Sequence, residues 1–222
     1  PNIQDSNKLT VQYMAYADKN IPLAEEIQNE YKGNINAKGK DGNSLALLAF
    51  YNKDYDFLHY LFTRNIDTSL CNDKGVNLFL AAFYSKIDPN ELETIIKKTG
   101  VNCKDSTGST PFLLVCKNNN FDKSKYDFLI EHNANVSIQN DAKEFPVSFL
   151  ISKGLDNEAK FLIEKKNVNI KDCKSPHEPI VVALKLKKKI WVDYLIEHDA
   201  NSLNECFPVI QTYLDNNYYE EK

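Results

Sequence analysis

Arginine is almost absent from this chain: of 27 basic residues only Arg64 is one. The planar guanidinium fork is the group that grips guanine and phosphate. Its scarcity counts against nucleic-acid recognition, and a net charge of −4 works against looser lysine-mediated binding to a polyanion. Glycine is also sparse, at seven residues, and none gathers into a phosphate-cradling loop. Five cysteines (Cys71, Cys103, Cys116, Cys173 and Cys206) are an odd number with no CxxC spacing. That pattern suggests neither a disulfide framework nor a zinc site, and it suits free thiols in a reducing, cytoplasmic setting. No apolar run approaches the ~18 residues of a membrane span, and no secretory leader opens the chain.

What the chain has in quantity is repetition. The loop markers Asn36, Ser69, Asn102, Ser137, Asn169 and Ser202 follow one another at 33, 33, 35, 32 and 33 residues. Small or aliphatic residues recur in step with them (Ala15, Ala49, Ala82, Val115, Leu150, Ala183), and so do Ile27, Leu61, Ile95, Leu129, Leu162 and Leu195. A shared period of this length marks a repeat array. Each period reads as a polar turn, a short apolar helix, a second turn and a second helix. The units run 1–35, 36–68, 69–101, 102–136, 137–168 and 169–201, with a partial or capping unit over 202–222. One array therefore spans 1–222.

Helices are expected over 10–18 and 22–31 in the first unit, where Lys8 replaces a loop glycine. They are expected from Tyr55 to Thr63 in the second, and over 78–84 and 89–98 in the third. Gly42, Gly75 and Gly108 fall where the loop needs a positive φ, and Lys143 holds that place in the fifth unit. The fourth unit is the clearest, with Thr110 as a cap and Pro111 in the first turn. A last helix is expected over 209–215. Helices this short are marginal alone, so each must bury its apolar stripe against its neighbours, and stability belongs to the array.

No catalytic constellation emerges. His132 and His198 lie 66 residues apart at equivalent places, His59 sits on a second helix, and His177 lies in a loop without a nucleophile. Cys116 reads as core, and Cys71, Cys103 and Cys173 as half-buried loop residues without an activating context. The run Lys185-Leu-Lys-Lys-Lys189 is the basic cluster of the chain. It reads either as a solvated inter-helix turn or as a patch for an anionic partner.

The segment Asp105-Ser-Thr-Gly-Ser-Thr-Pro-Phe112, with the unit ends Ile130-Glu-His-Asn-Ala-Asn-Val136 and Leu195-Ile-Glu-His-Asp-Ala-Asn201, resembles the ankyrin repeat over about residues 2–215. The usual histidine after Thr-Pro-Leu is missing: Leu47, Leu80, Leu113, Ser148 and Val181 stand there. The mid-repeat Gly-His is missing too. The resemblance implies an all-α ankyrin-repeat solenoid of stacked helix-turn-helix units joined by β-hairpin-like loops. It also implies protein–protein recognition by a concave face of first helices and hairpin tips.

By that alignment the groove residues are Ala17-Asp18, Tyr51-Asn52, Tyr84-Ser85, Lys117-Asn118, Ser152-Lys153 and Lys185-Leu186. The tips are Lys40-Asp41, Asp73-Lys74, Ser106-Thr107 and Asp141-Ala142. Tyr51 and Tyr84 would stand side by side. Tyrosine gives wide contact at low entropic cost; the alternative is that both rings simply cover the edge of the core. The expectation is a monomeric, non-catalytic scaffold for an unidentified protein, with no cofactor, metal, nucleic acid or membrane partner. The other reading is a recognition domain cut from a larger enzyme or host-directed effector, suggested by Pro1 and the unfinished last unit.

Overall fold

Polar caps recur at the spacing of the repeats, and they set where the helices begin. In the computed structural model, which describes residues 3–6, 9–166, 168, 170, 176–198, 208 and 211, Thr10, Ser44, Asn77 and Thr110 each accept a backbone N–H three residues on, at 2.9–3.3 Å. These bonds open α1 (Val11–Ala17), α3 (Leu45–Tyr51), α5 (Leu78–Phe83) and α7 (Pro111–Lys117). Asn20, Asp54 and Asp122 do the same for α2 (Ile21–Tyr31), α4 (Tyr55–Phe62) and α8 (Lys123–Glu131), and Asp88 opens α6 (Pro89–Thr99) by accepting from Asn90 N–H, two residues on. The side-chain oxygen satisfies a donor that the first helical turn leaves orphaned. α9 (Pro146–Lys153), α10 (Asp156–Lys166), α11 (Pro179–Lys185) and α12 (Lys189–His198) complete the series. Proline occupies the first turn of α7, α9 and α11, where its missing N–H costs nothing.

The chain forms two compact parts, Pro1–Ser106 and Thr107–Lys222. In the first, α1 packs on α3 and α3 on α5, each with its own second helix alongside. In the second, α7 packs on α9 and α9 on α11 in the same manner. α3 and α9 thus lie between neighbouring first helices, and first helices read as apolar almost all round; every residue of α5 is buried. Second helices bury one stripe, and on α6 that stripe narrows to Ile95. All twelve helix markers are at most 6% exposed, so the period read from the sequence is the period of the core. Gln12 is a departure. It is fully buried on α1, and its amide atoms have no hydrogen-bond partner among the described residues.

The loops between repeats are hairpin-like and carry no strand among the described residues, apart from an isolated bridge between Gln4 and Thr10. Gly39 N–H bonds Asn43 O at 2.8 Å, and Asn72 N–H bonds Val76 O at 2.9 Å. Successive loops join tip to tip, Asp73 N–H to Asp41 O at 3.1 Å and Asp141 N–H to Thr107 O at 3.0 Å. Gly42 is needed twice over. Its φ is +70°, and a Cβ there would stand 2.8 Å from the backbone nitrogen of Asp73. Lys143, the lysine in a glycine's place, does adopt a φ of +61°. Helix bounds differ from expectation by a residue: Thr10, Asp18, Thr63 and Tyr84, expected to be helical, cap their helices instead, while α2 begins at Ile21 and α6 runs on to Thr99. The Lys8 substitution, Asn169, Cys173, the expected helix 209–215 and the unit 202–222 lie outside the described residues, apart from positions 208 and 211.

Candidate partner-binding surface

The residues at the C-terminal ends of the first helices are exposed as a register. In α3, Phe50 is buried while Tyr51 is 49% exposed; in α5, Phe83 is buried while Tyr84, the residue capping the helix, is 45% exposed. Each tyrosine ring meets the edge of its buried neighbour, Tyr51 on Phe50 at 6.0 Å and Tyr84 on Phe83 at 5.3 Å between centroids. Because α3 packs directly on α5, the two rings occupy matching places on adjoining helices. Burial holds the Tyr51 hydroxyl above its ordinary value, with the Asn72 side chain acting in the opposite direction. The ring is thus part platform and part edge of the core. Asn52 and Ser85 beside them are exposed, and the Ser85 hydroxyl donates to Ala81 O at 2.7 Å.

In the second part the expected lysines are tied to the scaffold. Lys117 Nζ pairs with Glu144 at 2.7 Å and stands 5.7 Å from the Phe149 ring. Lys153 Nζ donates to Cys116 O at 2.6 Å and to Asn118 O, so it closes the end of α7 from one repeat further on. Burial lowers the Lys153 pKa, opposed by Cys116. Lys185 Nζ reaches Pro176 O at 3.3 Å. Asn118 Oδ1 accepts from Asn120 N–H at 2.9 Å.

Loop-tip residues Lys40, Asp41, Asp73, Lys74, Ser106, Thr107 and Asp141 are all exposed. Their shape depends on two residues that the pattern reading passed over, Asn72 and Asn140. Asn72 Oδ1 accepts from Lys74 and Val76 N–H, and its amide donates to Asn43, all at 3.0 Å. Asn140 accepts from Glu144 N–H at 3.0 Å and donates to Ser109 at 3.1 Å and to Glu144 Oε2 at 2.6 Å. An asparagine three residues past the loop marker was the available signal, and it has a mechanism, since such side chains close turns on their own backbone.

Titratable groups elsewhere are engaged in packing. His132 stacks on Phe128 and its Nδ1 lies 2.7 Å from Phe128 O. His198 repeats this on Tyr194, with Nδ1 2.9 Å from Tyr194 O. His59 lies 3.0 Å from Glu91 of α6. Arg64 bonds Glu25 and lies over the Tyr60 ring at 4.9 Å. Cys71, Cys103 and Cys116 are free thiols. Burial raises all three, Cys103 to about 11, which leaves them protonated and weakly nucleophilic at neutral pH. Among the described residues no group of three potential ligands could hold a metal ion, and no helix is long and apolar enough to cross a membrane.

No family model matches the chain, nor does any curated protein sequence. Solved structures do. An ankyrin repeat domain from Acinetobacter baumannii AYE is 17% identical with a TM-score of 0.53, over 84% of this chain and 96% of that one. A chain from the complex of a predatory endopeptidase of Bdellovibrio bacteriovorus with an immunity protein is 22% identical with a TM-score of 0.49, over 74% of this chain and 84% of that one. The first likeness shows the fold: stacked helix pairs with hairpin-like loops, the ankyrin-repeat arrangement.

Proposed function

We propose that this chain is a non-catalytic recognition scaffold that grips a segment of a partner protein on the concave face of its ankyrin stack, centred on Tyr51 and Tyr84. The observation that carries this reading is the half-exposure of two tyrosines in register on packed helices, each backed by a buried phenylalanine. Rings held that way offer apolar area and a hydroxyl with little left to immobilise on binding. Asn52, Ser85 and the exposed loop tips Lys40, Asp41, Asp73 and Lys74 extend that surface, and Lys117, Asn118, Lys153 and Lys185 are the corresponding contacts proposed in the second part. Raised thiol pKa values and histidines committed to packing support a role without catalysis, and free thiols support a reducing, cytoplasmic setting.

The test is affinity capture from a lysate with the wild-type chain and a Tyr51→Ala/Tyr84→Ala variant side by side. The variant is expected to lose the captured protein while its melting temperature stays within a few degrees of wild type. Capture retained by the variant, or a collapse of its fold, would assign both rings to the core edge.

A further inference from the structure

Tyr51 and Tyr84 stand at one ring per repeat, at the ends of helices that pack directly on one another. Packed helices lie about 8–10 Å apart, so matching places on them recur at about that interval. A segment laid across both helices uses both rings only if its own repeat agrees. A β-strand returns a side chain to the same face every ~7 Å, which falls short. A polyproline II helix has three residues per turn and advances about 9 Å in each, so residues three apart meet successive rings. An α-helix reaches both rings with residues seven apart, about 10.5 Å, but it sets its intervening turn between them.

The charges beside the rings cancel. Each turn that follows α1, α3 and α5 carries one lysine and one aspartate: Asp18 and Lys19, Lys53 and Asp54, Lys86 and Asp88. Lys19 and Asp54 are joined at 2.7 Å. The loop tips balance in the same way, Lys40 with Asp41 and Lys74 with Asp73. A charged segment would shed its water here without meeting an excess of opposite charge; an uncharged one has no such loss. Around the rings lie hydrogen-bond donors, the tyrosine hydroxyls and the exposed Asn52 amide. Proline keeps its carbonyl and lacks the N–H, and polyproline II has no internal hydrogen bonds, so a proline-rich backbone presents acceptors to match. A shallow notch beside Asn52, walled by Ala17, Leu48, Ala49 and Phe57, offers a seat to a small apolar side chain.

We propose that the occupant is an uncharged, proline-rich segment in the polyproline II conformation, with residues three apart lying on successive rings, a reading that rests on the tyrosine surface being the binding site.

The probe is a short fluorescein-labelled peptide of prolines with leucine at every third position, followed by anisotropy. Binding is expected, at the same affinity in low and in physiological salt, since there is no net attraction for salt to screen. Tyr51→Ala and Tyr84→Ala should each weaken it about tenfold or more. Tyr51→Phe with Tyr84→Phe, which keeps both rings, should weaken it less than either. Circular dichroism checks that each variant is folded, and Tyr51→Gln with Tyr84→Gln serves if the alanine variants are not. Replacing the peptide's prolines by alanine should abolish binding. Tighter binding of that alanine peptide overturns the proposal and assigns the surface to a helix. Binding of the proline peptide that the tyrosine variants leave unchanged also overturns it. Failure of the proline peptide, while capture from a lysate still depends on both tyrosines, overturns the proposal and leaves the surface in place. Capture that depends on neither tyrosine removes the surface and the proposal together.

Discussion

Left-handed backbone at a lysine is the clearest case where one residue's chemistry and its place disagree. Lys143 adopts the φ that Gly42 and Gly108 adopt in the equivalent loops, and a side chain there costs about 1–2 kcal/mol relative to glycine, which is offset in part by glycine's greater freedom when unfolded. Lys143→Gly is therefore expected to raise stability by about 0.5–1 kcal/mol, read as a higher urea midpoint at unchanged slope. Lys19, Lys53 and Lys187 adopt the same backbone in the inter-helix turns, where the sequence showed only ordinary polar turns. The lone arginine is a further residue-scale outcome. Its scarcity argued against nucleic-acid recognition, and the residue itself serves packing, across α2 and α4 onto Glu25.

Helices of six to eleven residues have too few internal bonds to be stable alone, so their ends matter as much as their faces. Thr110 closes the start of α7 with a bond to Leu113 N–H at 3.3 Å and is fully buried. Thr110→Ala should cost about 1 kcal/mol, or roughly 2–4 °C in melting temperature for a chain of this size. Thr110→Ser should recover most of that loss. This cap was legible in the sequence because Thr-Pro before an apolar run is a local signal. The closure of α7 by Lys153 was not, since 37 residues separate donor and acceptor and nothing near either residue marks the pairing.

Over the molecule as a whole, charge pairs join neighbouring repeats within each part, and they make stability depend on acidity. Lys19 foremost, then the backbone N–H of Phe57, hold Asp54 below its ordinary value of 3.8. Burial pushes Glu144 upward, but bonds from Lys117 and Asn140 outweigh it and hold it below 4.5. A carboxylate depressed by folding contributes fully above its unfolded value, and that contribution is lost as pH falls through the lower folded value. Wild type should therefore melt above an Asp54→Asn/Glu144→Gln variant at neutral pH, and the gap should close as melts are taken down to about pH 3. A gap that stays constant across that range would mean the substitutions act through packing.

The amino-acid sequence by itself determined the repeat, its period, the caps and the buried positions. All of these follow from residues near one another in the chain and from the need of short helices to share apolar faces. It also indicated which first-helix ends would be presented, through the family likeness. Only the tertiary structure decided how those ends are used: Tyr51 and Tyr84 half-open on their phenylalanines, and Lys117 and Lys153 tied to the scaffold. Whether a side chain is free or spent depends on groups about one repeat away, and the stacking of the helices brings those groups within reach.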